Sequence, residues 1–454
     1  MRALIRITAI AVAGATLYFA GIVNSIILEH PERSGSGAVV LGIGASLVLI
    51  AFALRGTGRG DAAVTMSHVW FFRAAWAFVC VMALVGLGWI VGMPRQHSFD
   101  WTPYHNDAIA LNECAARLVL QGRDPYTDMD LFACYDRLRI GPDRTTPLRR
   151  GAFANEVIYP NDDEMDAVWA ARSRGEGANE EFVWRPSYPA LSFLFLLPVV
   201  AVGIDTNYLY MACLLVAMAL ITWRAPAGLR PFFLTGLLGA ASLTAFTAGG
   251  SSDLLYALPL VIAWIWRERS WAAIPFGIAL ATKQIAWFFA PFYLMSFLTM
   301  PGGVRRAARD AFIAAGIFLL SNLPFIVHDW HAWLLGILTP VLEPMFPRGA
   351  GLVFLATTDA MPLLPQLVYT AFEAVVGIAC LVIGWRTRRT SPELGAVLAV
   401  VPLFVAWRSL FSYFFLLPLF AFAAASRMPL GDLVTEHARR LGALTIFAAP
   451  TRSG

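Results

Sequence analysis

The chain has 454 residues, of which 58% are apolar and 14% charged, with a mean hydropathy of +0.64 and a formal net charge of +4. Soluble globular domains carry about 25% charged residues, so this balance excludes that class and predicts a polytopic membrane protein. The small positive charge does not point to nucleic acid either, because the arginines are spread over short connections and form no basic face.

Apolar runs long or nearly long enough to span a bilayer occupy 4–28, 36–54, 69–92, 207–223, 231–248, 252–266, 271–299, 307–327, 364–385 and 393–426. Backbone polar groups in lipid must be satisfied within a segment, and none of the runs alternates like a barrel strand, so all are predicted as helices. The expected fold class is all-α and polytopic, with about 12 transmembrane helices. The first run follows Met-Arg-Ala-Leu-Ile-Arg as a signal peptide would, but its length and the two apolar runs behind it predict an uncleaved helix.

Arginines mark the topology. Arg2 and Arg6, Arg55 and Arg59, Arg224 and Arg230, Arg267 and Arg269, Arg305, Arg306 and Arg309, Arg386, Arg388 and Arg389, and Arg439 and Arg440 form a series of short groups. All fall on the cytoplasmic side if 187–204 does not cross fully and 271–299 is two short helices meeting near Lys283 on the other side. The alternative, with 187–204 as a full span and 271–299 as one tilted helix, strands Arg224, Arg230, Arg267 and Arg269 outside.

Residues 94–187 form the one long polar stretch, expected on the non-cytoplasmic side. Its early part, YHNDAIALNECAARLVLQGRDPY, reads as a helix lying along the membrane surface. Asn106 or Asp107 caps it, Leu111, Ala115 and Leu118 share a stripe, and Gly122 ends it before a turn at Asp124-Pro125-Tyr126. The second half, with NDDEMD at 161–166 and SRGEGANEE at 173–181, lacks apolar periodicity and is predicted as a mobile loop with a solvated acidic surface. Cys114 and Cys134 both fall in this stretch, where an oxidising compartment would permit a disulfide; the alternative is two free thiols. Cys80, Cys213 and Cys380 belong to apolar runs.

Lys283 is the chain's single lysine among 34 basic side chains, and it interrupts the apolar run GIALATKQIAWFFAPFYLMSFL. An ammonium in hydrocarbon costs roughly 2.5 to 3.5 kcal/mol, so it is expected to face an aqueous cavity or an anion. Snorkelling to the interface is the bland alternative. Glu373, within a later run, faces the same test. His328, Asp329 and His331 offer zinc-type donors with no third strong ligand adjacent, so an aromatic belt with Trp330 and Trp333 is the preferred reading.

The acidic residue after an apolar run, an alanine-rich helix and then Gly122-Arg123-Asp124-Pro125-Tyr126 resemble the opening loop of polyprenyl-phosphate-dependent glycosyltransferases of the GT-C superfamily. The likeness is closest to the bacterial alpha-1,2-mannosyltransferase-like membrane family. Three stretches agree in order: FVWRPSYPALSFLFLLP from Phe182, AGGSSDLLYALPL from Ala248, and GIALATKQIAWFFAP from Gly277. Ser187-Tyr188-Pro189 departs from the family's usual spelling, and the two runs before residue 60 have no counterpart in it. The resemblance covers about 70–300, which divides the chain into N-terminal helices (1–68), a catalytic core with the outer loop (69–299), further helices (300–426) and a cytoplasmic tail (427–454).

The resemblance implies inverting transfer of a sugar, mannose-like or other, from a polyprenyl-phosphate donor to a hydroxyl on a lipid or glycan acceptor at the outer membrane face. Asp107 matches the family's acidic position and is the candidate base. Asp100 is the reserve. Lys283 and Arg408 are candidate clamps for the donor phosphate; Arg408 reads equally as an interfacial arginine beside Trp407. Asp253, Tyr126 and Gln284 are candidate substrate contacts, Asp253 with an N-cap as its other role. No cofactor is implied, and a divalent metal stays open. The rival reading is a transporter or lipid flippase with Lys283, Asp253 and Glu373 lining a pathway, against which no internal repeat is visible.

Overall fold

The structure is a computed structural model that describes residues 2–29, 35–55, 66–98, 106–174, 176 and 179–428, and its regular structure is almost entirely helical. Six helices are long and apolar enough to cross a membrane: Arg2–Glu29, Ser36–Leu54, Met66–Ser98, Thr206–Arg224, Gly303–Leu342 and Gln366–Thr387. A seventh arises if the pair Ala227–Gly239 and Ala241–Ala248, bent by 47°, counts as one span. The chain is therefore an all-α multi-pass membrane protein with six or seven candidate spans among the described residues, which corrects the expected count of twelve.

Length explains the difference. The runs 252–266, 271–299 and 393–426 carry Pro259, Pro275, Pro291, Pro402 and Pro418, and fold as shorter helices such as Leu254–Ile265, Ser270–Leu280, Gln284–Met295 and Phe411–Ala425. A 12-residue helix rises about 18 Å, little over half of a hydrocarbon core roughly 30 Å thick. The run 187–204 likewise breaks into Leu191–Leu194 and Leu197–Ala201.

The N-terminal helices are integral to the core. Arg2–Glu29 packs along Ser36–Leu54, and the Trp76 indole donates to Thr8 at 2.8 Å. Gly14 lets the first helix meet the chain at Ala240 so closely that an added Cβ would lie 2.6 Å from the alanine methyl. Arginines of separate connections come together through contacts. Arg306 donates to the carbonyls of Arg267 and Arg269, Arg309 to Ser270, and Arg6 to Arg55. Beneath them Arg267 forms a buried ion pair with Glu393 at 2.6 Å, and Arg427 joins both Glu393 and Glu268.

The described part of the long polar stretch, from 106 onwards, is folded rather than loose. Asn106 caps the helix Asp107–Leu120 by accepting from the Ile109 amide at 3.1 Å, so Asp107 occupies the first helical position. Eight consecutive residues of that helix, Ile109 to Ala116, are buried, which corrects the expectation of a surface helix with a single apolar stripe. A disulfide joins Cys114 to Cys134 and so to the helix Leu131–Leu138. Asp124 caps Pro125–Asp128, accepting from the Tyr126 amide at 2.8 Å.

The segment NDDEMD is not a mobile loop. It opens the helix Asp162–Ser173 through a capping box in which Asn161 accepts from the Glu164 amide at 3.0 Å and Glu164 from the Asn161 amide at 2.9 Å. Asp162, Asp163 and Glu164 then sit in the first turn, where the helix dipole favours negative charge.

Candidate functional site: carboxylates and arginines converging on three tyrosines

Lys283 has an extended backbone (φ −153°, ψ 141°) between the helix Ala273–Leu280 and a 3-10 segment, Gln284–Phe289. The break frees its side chain to cross to the start of Leu254–Ile265, where Asp253 Oδ1 lies 2.7 Å from the ammonium. Both side chains are buried, at 10% and 6% exposure. Asp253 holds the N-cap position but makes no capping bond, which corrects that reading; its other oxygen accepts from Ser251 at 3.1 Å. A buried ammonium without a carboxylate costs several kcal/mol, more than one uncapped amide, so the carboxylate turns to the lysine.

The ammonium also faces the Tyr188 ring, 4.7 Å from its centroid. Tyr188 is fixed from several sides. Gln284 donates to the Ser187 carbonyl at 2.7 Å and the Ile337 carbonyl at 2.9 Å. The Tyr126 hydroxyl donates to the Tyr188 carbonyl at 2.7 Å, and Asn322 accepts from the Ala190 amide at 3.0 Å. Tyr126 is itself buried between Phe193 and Phe325. Gln284 and Tyr126 were candidate substrate contacts; here their polar groups hold backbone and set the position of Tyr188.

Asp107 enters from the long polar stretch. Thr146 donates a short hydrogen bond to its Oδ2, and the Ala108 amide donates to Oδ1 at 2.7 Å. The neighbouring Asn106 donates to the Gly250 carbonyl at 3.1 Å, which anchors this helix start to the turn leading into Asp253. Burial pushes the Tyr188 hydroxyl above its ordinary range; the Lys283 charge pulls it down, and Asp107 and Asp253 push it up. The ion pair and the Asp107 carboxylate therefore act on one tyrosine.

Of the third component the sequence marks Arg408 as a candidate, but not its partner Arg348. Residues Arg348–Gly349 (β1) and Arg408–Ser409 (β2) form a minimal parallel ladder with Arg348 opposite Arg408. Neither guanidinium forms a salt bridge among the described residues, and Nη1 of Arg408 is enclosed without a hydrogen-bond partner. The Arg348 guanidinium stacks on Tyr159, 3.8 Å from the ring centroid, and the Tyr159 hydroxyl donates to the Thr145 carbonyl at 3.1 Å. Burial raises the Tyr159 hydroxyl above its usual range, Arg348 and Arg408 oppose this, and Asp107 adds to it. Tyr413 lies within electrostatic range of Arg408, Lys283, Asp253 and Tyr188.

Three tyrosines thus link Asp107, the Lys283–Asp253 pair and two unmatched arginines. Like charges directly opposite on adjacent strands destabilise a ladder, so this pair is suited to an anion bridging it. Asp107 is half-buried and oriented by Thr146, and it forms no salt bridge among the described residues. Such an arrangement can take a proton at one point and receive negative charge at another.

The remaining candidates lie elsewhere. Asp100 falls outside the described residues. His328 Nδ1 is 2.9 Å from Asp124, while Asp329 accepts from the amides of His331 and Ala332 at a kink, so the His328-Asp329-His331 cluster does not converge. Among the described residues no three His, Cys, Asp or Glu side chains gather as metal ligands. Glu373 lies on Gln366–Thr387 and forms no salt bridge among the described residues. No protein-family model, curated protein or solved structure matches the chain.

Proposed function

We propose that the chain is a membrane glycosyltransferase that moves a sugar from a polyprenyl-phosphate donor to a hydroxyl of a lipid or glycan acceptor, on the non-cytoplasmic face and by a GT-C type mechanism. The observation that carries this reading is that Asp107 and the paired arginines Arg348 and Arg408 all lie within electrostatic range of Tyr159, and that neither arginine has a carboxylate partner among the described residues. Asp107 accepts the proton of the acceptor hydroxyl as its oxygen attacks the anomeric carbon. The bond from that carbon to the phosphate oxygen breaks with its electron pair going to the phosphate. Arg348 and Arg408 meet the charge that develops there. Attack opposite the leaving group inverts the anomeric centre, as a single-base mechanism requires.

Lys283 reaches this site with its charge matched by Asp253, so its role is to hold Asp253 and Tyr188 and to add a distant positive potential. The arginine cluster around Arg267 and Arg306 supports the sidedness, because basic groups at membrane ends favour the cytoplasm. The test is incubation of purified protein with a panel of polyprenyl-phosphate sugars, reading release of the polyprenyl phosphate. Wild type is expected to consume one donor and folded Asp107→Asn to leave it intact. Transfer by Asp107→Asn at the wild-type rate sinks the reading; loss of lipid movement in Lys283→Ala with no transfer by wild type establishes the transport alternative.

A further inference from the structure

The hairpin that carries Asp253 and Lys283 at one end carries a second polar feature at the other. The helix Leu254–Ile265 rises about 18 Å from Asp253 to this second place. There an open cavity of about 630 Å³ is lined by Trp223, Arg224, Arg230, Trp266, Glu268 and Arg269. Its charges are unbalanced. Glu268 is taken up by Arg427, and Arg230 spends its guanidinium on the carbonyls of Trp223 and Ala225, at 3.0 and 3.3 Å. Arg224 and Arg269 are exposed and form no salt bridge among the described residues.

The cavity sits at a defined depth. Trp223 and Arg224 are the last two residues of the candidate span Thr206–Arg224. Trp223 packs on Trp266 and Trp266 on Trp271, with ring centroids 6.1 and 5.8 Å apart. Tryptophan rows of this kind mark the headgroup level of a bilayer. Arginines paired with tryptophans at that level, around a cavity open to the outside, match an anionic headgroup above and an acyl chain against the rings.

We propose that this cavity binds the phosphate-bearing headgroup of an anionic membrane lipid, with Arg224 and Arg269 as its ligands. The site is independent of sugar transfer and would stand if that reading failed. Basic pockets at the ends of transmembrane helices recognise such headgroups, and each arginine near the surface is worth about a fivefold change in binding.

The test uses full-length protein in a neutral detergent, titrated with phosphatidylglycerol, phosphatidylcholine or glycerol phosphate and followed by native mass spectrometry and thermal unfolding. Phosphatidylglycerol is expected to bind and raise the unfolding temperature, with phosphatidylcholine inert. The double variant Arg224→Gln/Arg269→Gln should bind roughly 25-fold more weakly while unfolding like wild type in detergent alone. Wild-type binding by the double variant overturns the proposal, and glycerol phosphate acting as strongly as the lipid overturns the lipid assignment. If the double variant does not fold, the salt dependence of wild-type binding decides: affinity indifferent to salt also overturns it.

Discussion

Lys283 and Asp253 hold each other across the open end of a helical hairpin, Nζ to Oδ1 at 2.7 Å, with both side chains nearly shut off from solvent. One residue precedes Leu254–Ile265 and the other follows Ala273–Leu280, so the pair pins the two helices at the end nearest Asp107. Breaking a buried pair leaves one bare charge, whereas replacing both partners removes the problem. Lys283→Met or Asp253→Leu alone is expected to cost about 3 to 5 kcal/mol of stability, and the double substitution far less. Thermal unfolding of the three variants in detergent measures this, and additive losses would show that the pair is not coupled.

Asn106 and Asp107 are adjacent but separable. Asn106→Ala removes the helix cap and the bond to the Gly250 carbonyl, and should lower stability by about 1 kcal/mol or somewhat more. Asp107→Asn keeps the helix start and should unfold near the wild-type temperature, while sugar transfer falls by roughly 10² to 10⁴. A donor-turnover assay beside an unfolding scan checks both. A variant pair with the two effects exchanged would identify Asp107 as a structural residue.

Arg348 and Arg408 are half-buried, and their prediction separates activity from stability. Either one changed to glutamine should reduce transfer by about 10² to 10³, by removing a donor aimed at developing charge. Because the change relieves like-charge crowding across the ladder, Arg408→Gln without donor should be no less stable than wild type, whereas Arg348→Gln also gives up its stack on Tyr159 and should lose about 1 kcal/mol. For Arg408→Gln, an unfolding temperature that falls together with activity would argue for a packing role instead.

The bridge between Cys114 and Cys134, with a sequence separation of 20, closes a loop that bears directly on the Asp107 helix. Replacing both by serine is expected to cost about 3 kcal/mol. Limited proteolysis with and without reductant should show the stretch around 121–140 becoming cleavable once the bridge is gone.

The sequence made some of this visible for identifiable reasons. An ammonium in an apolar run demands a partner, which marks Lys283, and Asp253 is a candidate too, read as a substrate contact or a cap rather than as that partner. The paired cysteines and the Asp124-Pro125-Tyr126 turn are local signals, and the chain forms both. The Asn161 and Glu164 capping box was also a local signal, obscured by the acidic residues around it. Arg348 carried no signal at all: its meaning comes from a partner 60 residues away, brought alongside by a ladder two residues long. The span count failed because hydropathy measures apolarity along the chain, while proline and the break at Thr282-Lys283 decide how far each helix runs.

The ladder that aligns the two arginines depends on Gly349, whose φ is +149°, and on Gly351. A Cβ on the first would strike the Ser409 carbonyl, and on the second the Ser409 hydroxyl and the Phe404 carbonyl. The distance between the stems of Arg348 and Arg408 is thus a main-chain dimension that no side-chain rotamer can adjust. One added methyl at either glycine would change that spacing while leaving every charge in the molecule in place, so the proposed anion site can be altered without touching a single charged residue.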